Sequence, residues 1–119
     1  MHLTYESPLL EDYLCEHEVV DYSHALIQEA KHHLSASRQT ETECVRRTFE
    51  FVRDTIHHSL DIQSTRVTCN ASEVLNYGEG LCYAKSHLLA ALLRAQSIPT
   101  GFCYQRLAAG ATPEMGYAL

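Results

Sequence analysis

From about Leu81 to Gln96 the chain is rich in leucine and alanine around most of a helical circumference. A helix that is apolar nearly all round has to be covered on more than one face. The segment is therefore expected to be the central helix of its domain, with the other elements arranged about it. Pro99 stops it, because proline lacks the amide hydrogen a helix needs and clashes with the preceding turn.

A chain of 119 residues forms at most one domain, and a domain of that size buries roughly two-thirds of its unfolded surface. Hydrophobic residues make up 45% and charged residues 20%, so a packed core is expected. The net charge is −6, and the nine lysines and arginines stand singly or in the one pair Arg46-Arg47. No basic stripe exists to neutralise phosphates, and no nucleic acid partner is expected. The longest apolar run, Leu88 to Leu93, is far below a membrane span, and the N-terminus lacks the basic, apolar and small-residue regions of a signal peptide. No membrane association and a cytoplasmic location are expected. Five cysteines at irregular spacing, without CxxC, predict reduced thiols rather than a disulfide framework.

Upstream, Ser7-Pro8 predicts a short helix through about Leu14. Ala25, Leu26, Ala30 and Leu34 predict an amphipathic helix from Asp21 to about Ser35. Thr40 followed by Glu43 is a capping-box signature, after which Val45, Phe49, Val52 and Ile56 recur at helical intervals. Thr65 to Cys69 is β-branched enough for a short extended segment but reads equally as loop. Asn70 with Glu73 predicts a second capped helix, Ala71 to Asn76, which Gly78 should end in the left-handed conformation. Gly101 to Leu107 alternates as a half-buried strand, and Ala108 to Leu119, with Gly110, Pro113 and Gly116, offers no convincing partner for it.

The chemistry-bearing residue is Cys82, in Gly78-Glu79-Gly80-Leu81-Cys82-Tyr83-Ala84-Lys85. A thiol in the first turn of a helix faces free backbone N–H groups, which favour thiolate over thiol and can hold an oxyanion. Cys15, Cys44, Cys69 and Cys103 lack that setting and read as core or surface fillers. After Cys82 the chain contains His87 as its one histidine and no aspartate, the last being Asp61. His87 lies five positions on, about 140° round the axis, which is poor geometry for a base; Lys85 has facing spacing and is either solvated or placed to assist the thiolate. The pairs His32-His33 and His57-His58, with His17 and His24, have no metal-ligand spacing. Neither a metal nor a cofactor is expected, and these histidines should decorate helix ends. Tyr77, Tyr83 and Tyr104 flank the site in sequence.

The block Ala71-Ser72-Glu73-Val74-Leu75, Gly78-Glu79-Gly80-Leu81-Cys82, Ala91-Leu92-Leu93-Arg94-Ala95, Ser97-Ile98-Pro99 and Gly101-Phe102-Cys103-Tyr104 resembles the transglutaminase-like superfamily of papain-like cysteine enzymes, in its bacterial branch. The helix from Glu43 to Ile56 extends the resemblance to about three-quarters of the chain. It implies an α+β fold in which a helical half carries Cys82 at the start of the central helix against the beginning of an antiparallel sheet. It also implies thiol acyl chemistry on amide or peptide bonds through a Cys82 thioester, hydrolytic or transferring, with a peptide or protein amide as substrate. In that family a downstream histidine, oriented by an aspartate, acts as base. This sequence departs there, since neither residue follows in the expected place. The expectation is a single domain over residues 1–119, cut before its catalytic base and without turnover as it stands. A natural short form that binds peptide or protein is the alternative, and a redox-responsive thiol is a third reading. An incomplete sheet would also leave the central helix partly uncovered and promote self-association.

Overall fold

The computed structural model describes residues 7–35, 40–103, 107–108 and 117–118. Among the described residues four α-helices dominate: α1 (Ala25–Leu34), α2 (Glu41–Thr55), α3 (Ala71–Tyr77) and α4 (Cys82–Ala95). Two strand pairs are short. β1 (His57–His58) runs parallel to β2 (Glu79–Gly80), and β3 (Leu107–Ala108) runs antiparallel to β4 (Tyr117–Ala118). The class is α+β and mainly helical.

α4 is the hub, packed against α1, α2, α3 and β2. Its Ala84, Leu88, Ala91 and Leu92 are fully buried against Ile27 of α1, Val52 and Ile56 at the end of α2, and Val74 of α3. Small alanines let the neighbouring helices approach, while Leu88 and Leu92, one turn apart, fill the space between them.

Local chemistry sets the helix ends, and here sequence and structure largely agree. The Thr40 hydroxyl accepts from Glu43 N at 3.2 Å while Glu43 reaches back to Thr40 N at 3.3 Å, completing the capping box of α2. Glu73 accepts from Asn70 N at 3.4 Å at the start of α3, and Gly78 ends that helix with φ of +68°.

Several expectations are corrected. The helix predicted near Ser7 is a 3-10 turn over Leu10–Tyr13, and Ser7 accepts from Leu9 N at 3.2 Å instead of capping an α-helix. α1 begins at Ala25, four residues late, with His24 as its cap accepting from Leu26 N at 3.1 Å. Asp21 is drawn away to the first turn of α3, where its carboxylate accepts from Ser72 N at 3.1 Å and from the Ser72 hydroxyl. In α2 the inward row is Thr48, Val52 and Ile56, with Phe51 half-buried; Val45 and Phe49 are exposed. Thr48 can turn inward because its hydroxyl donates to Cys44 O at 2.8 Å. Residues 65–69 are irregular, and Gly101 to Cys103 form no strand; residues 104–106 lie outside the described residues. The expected lack of a strand partner is wrong as well, since Leu107 faces Ala118 and Ala108 faces Tyr117 in register. Two-residue bridges need only backbone groups, so they leave no side-chain alternation to read.

α4 closes on Ser97, which adopts φ of +63° while Ile98 N donates to Leu93 O at 3.0 Å. That is the left-handed terminus glycine normally occupies. Ser97→Gly is therefore expected to raise stability by about 0.5–1 kcal/mol, the relief of a left-handed Cβ less the extra entropy of glycine. An unchanged or lowered urea midpoint would contradict this.

Candidate functional site

The site is assembled from the turn between α3 and α4. After Gly78, β2 is gripped on both sides. His57 N donates to Gly78 O at 2.9 Å and Ser59 N to Gly80 O at 3.1 Å from the β1 side, while the buried Thr68 hydroxyl donates to Glu79 O at 2.9 Å. The Glu79 carboxylate is buried under the loop, accepting from the Ser64 hydroxyl at 2.6 Å with Arg66 at 3.8 Å. Arg66 in turn lies 4.1 Å over the Tyr77 ring. This bracing holds the backbone immediately before the cysteine.

Gly80 is needed here for space. A Cβ on it would come to 3.1 Å from the Thr68 hydroxyl oxygen and 3.2 Å from the Ala84 Cβ. Gly80→Ala is expected to cost about 1–3 kcal/mol through overpacking and to slow Cys82 labelling. Wild-type stability in a urea melt would sink the close-packing account.

Cys82 is the first residue of α4 and is exposed. The residue before it, Leu81, is extended (φ −73°, ψ 170°) and supplies no side-chain cap. The first helical hydrogen bond from α4 is Lys85 N to Leu81 O at 2.9 Å. Among the described residues, the amides of the first turn thus have no side-chain acceptor of the kind His24 and Thr40 provide on α1 and α2. An exposed thiol and a set of N–H donors share one helix end, which is the combination needed to attack a carbonyl and hold the resulting oxyanion.

Beside the thiol lies a cleft of about 270 Å³, walled by Tyr83, Ser86, His87 and Ala90 of α4 on one side and by Thr100 to Cys103 on the other. The second wall is set by Arg94. This buried guanidinium donates to Thr100 O through Nε at 3.0 Å and Nη2 at 2.7 Å, and to Cys15 O through Nη1 at 2.8 Å. Thr100 N also donates to Tyr13 O at 2.8 Å. One arginine therefore ties the end of α4, the segment after Pro99 and the N-terminal strap together.

The other sequence candidates sort clearly. His87 lines the cleft, but its Nδ1 lies 2.7 Å from Cys69 O and its ring stands edge-on to Tyr83 and Phe102 at 5.8 and 5.6 Å. It is held as a wall residue. Lys85 is half-buried; its ammonium donates to Ile56 O at 2.8 Å and caps the end of α2, a favourable place for a cation. Asp54 nearby is held below the usual carboxylate range, mainly by the hydrogen bond from Arg53; the pair is exposed. Tyr83 lines the cleft, Tyr77 does not, and Tyr104 lies outside the described residues. His57 and His58 form β1, while His32 and His33 do lie in the last turn of α1. Sequence reasoning missed Glu79 and Arg94 as supports of the site. The signal available was that both are charged residues inside otherwise apolar or glycine-rich stretches.

The arrangement of capped short helix, glycine turn, cysteine and buried Ala/Leu helix extends well beyond the cysteine itself. A family model described as the transglutaminase-like superfamily matches residues 28–118. The chain belongs to that superfamily. No curated protein and no solved structure matches it. The Leu-Arg-Ala end of the cysteine helix, seen against this transglutaminase-like core, is a structural clamp through Arg94, and Ser97 occupies the left-handed position that opens the turn before Pro99.

Proposed function

We propose that this transglutaminase-like domain performs thiol acyl chemistry on carboxamides, with Cys82 as nucleophile. The Cys82 sulfur adds to the amide carbonyl carbon, first-turn amides of α4 hold the oxyanion, and the C–N bond breaks as the nitrogen takes the proton the thiol gave up, leaving a thioester and a free amine or ammonia. Water or a second amine then takes the acyl group and returns the thiol. The observation that carries this reading is the exposed thiol at an α4 terminus that no side chain caps among the described residues.

Resolution of the thioester needs a positioned base. His87, the one histidine after Cys82, stands five positions along the helix from the thiol and its Nδ1 meets the Cys69 carbonyl instead of an aspartate, so residues 1–119 by themselves are expected to accept an acyl group and to release it slowly. The same observation favours a second reading, a peptide- or protein-binding module that uses the cleft without turnover.

Treatment with p-nitrophenyl acetate separates the two. The enzyme reading expects one stable acetyl group on Cys82, formed about tenfold faster than on Cys103, the other exposed thiol, since a helix terminus activates a thiolate. Cys82→Ala should lose that adduct and keep its fold. Equal acetylation of Cys82 and Cys103 would remove the nucleophile assignment and leave the binding module.

A further inference from the structure

Three polar side chains of the cleft beside Cys82 send their protons the same way. Ser86 Oγ donates to Cys82 O at 2.9 Å, and Thr100 Oγ1 donates to Ile98 O at 2.9 Å. His87 Nδ1 stands 2.7 Å from Cys69 O, and since a carbonyl oxygen can only accept, Nδ1 is the nitrogen that carries a proton. All three residues line the cleft. Each has spent a proton on a backbone carbonyl, so what these side chains offer a ligand is lone pairs. In the neutral imidazole the second nitrogen, Nε2, is then a bare acceptor, and it has no hydrogen-bond partner among the described residues. The ring is also held in place. It stands edge-on to Tyr83 and Phe102, with centroids 5.8 and 5.6 Å away, and a rotation that removed Nε2 from the cleft would break the contact with Cys69 O.

We propose that His87 is a specificity-determining residue whose Nε2 accepts a hydrogen bond from an N–H on the acyl group that Cys82 takes up. The site then selects acyl groups that carry an acylated amino N–H next to the reacting carbonyl, as a peptide does, over acyl groups of the same size without that proton. The inference rests on the thiol acyl reading given above and assigns the role of the cleft within it. His87 binds and transfers no proton, so no bond forms or breaks at the ring. The rest of the cleft is apolar, with Leu89, Ala90 and Phe102 in its walls, and in such a setting a few placed polar atoms fix a ligand's orientation. An acyl group with N–CH3 in place of N–H covers Nε2 without giving it a donor, which costs more than the loss of a solvated hydrogen bond.

The test uses the whole 119-residue chain with the p-nitrophenyl esters of N-acetylglycine and N-acetylsarcosine, which differ by one N–H replaced with N–CH3. Acylation of Cys82 is followed by peptide mass spectrometry, and each ester's rate is divided by its rate with free 2-mercaptoethanol to remove intrinsic reactivity. The N-acetylglycine ester should acylate Cys82 about three- to tenfold faster, the worth of one hydrogen bond made against one left unmade. His87→Asn keeps an amide that can donate to Cys69 O and has no atom at the Nε2 position, so the ratio should fall to about one. His87→Gln carries an amide oxygen toward that position without a base and should restore part of the preference. Equal normalised rates in the unaltered chain overturn the inference without recourse to any variant. An undiminished ratio in His87→Asn overturns it too, and a ratio lost equally in both variants assigns the preference to ring packing and overturns the acceptor role. The two readings fail differently. Cys82 acylated by p-nitrophenyl acetate and by both amino acyl esters without an N–H preference removes this inference alone, whereas Cys82 no faster than Cys103 with all of them removes the nucleophile assignment and this inference with it.

Discussion

Arg94→Ala is expected to lower the unfolding free energy by about 3–5 kcal/mol, the cost of leaving buried groups without charge-assisted partners. Arg94 is only 6% exposed, and its guanidinium satisfies two carbonyls that belong to segments far apart in the chain, Cys15 and Thr100. Alanine would orphan both carbonyls and leave a hole at the end of α4. Arg94→Lys should recover only part of the loss, because a single ammonium cannot reproduce three N–H donors held in one plane. Small domains are stable by only about 5–15 kcal/mol, so the alanine variant should approach unfolding at ambient temperature. Urea denaturation with an unchanged slope and a sharply lower midpoint is the signature. A loss below about 1 kcal/mol would mean that water replaces the guanidinium, and the clamp would no longer explain how the cleft wall is held. Cys82 labelling should also change in Arg94→Lys, since the Thr100 to Cys103 wall loses its tie.

Leu88→Ala is expected to cost about 3–5 kcal/mol, as large-to-small changes do in a core that cannot collapse onto the cavity. Leu88 has no exposed surface and lies in the middle of α4, enclosed by the other helices. The informative comparison is Phe49→Ala in α2. By sequence period Phe49 belongs with Val52 and Ile56, yet it is 49% exposed and lies under Arg53, 5.7 Å from the ring centroid. Its loss should cost about 1 kcal/mol or less, since half-exposed apolar area and an exposed cation–π contact contribute little. Matched urea titrations of the two variants give the answer. Equal losses would mean that α2 packs through Phe49, contrary to the burial of Thr48.

Phe49 and Thr48 show where sequence reading loses precision. The helical period of α2 identifies the helix correctly, but two apolar rows, one residue apart, compete to face inward. A threonine satisfied by Cys44 O, with Gln96 at the C-cap of α4 donating to its hydroxyl at 3.0 Å, takes the inner place from a phenylalanine. Asp21 makes the same point at a helix end. Its type suits a cap near α1, but Ser72 of α3, fifty-one residues away in sequence, claims it.

What the sequence determined by itself is local: the Thr40–Glu43 and Asn70–Glu73 caps, the left-handed Gly78, the buried character of α4 and the place of Cys82 at its head all rest on groups within four residues of one another. Those interactions depend on spacing along one chain, which is what a sequence displays. Tertiary structure alone decided which apolar row of α2 turns inward, that Lys85 serves the end of α2, that His87 is held by Cys69, and that Arg94 joins Cys15 to Thr100. The β1–β2 and β3–β4 bridges belong to the same class. The α2 row apart, each rests on a backbone carbonyl or amide, and a backbone group carries no residue-specific mark in the sequence. Its partner becomes visible only when packing around α4 brings the two together.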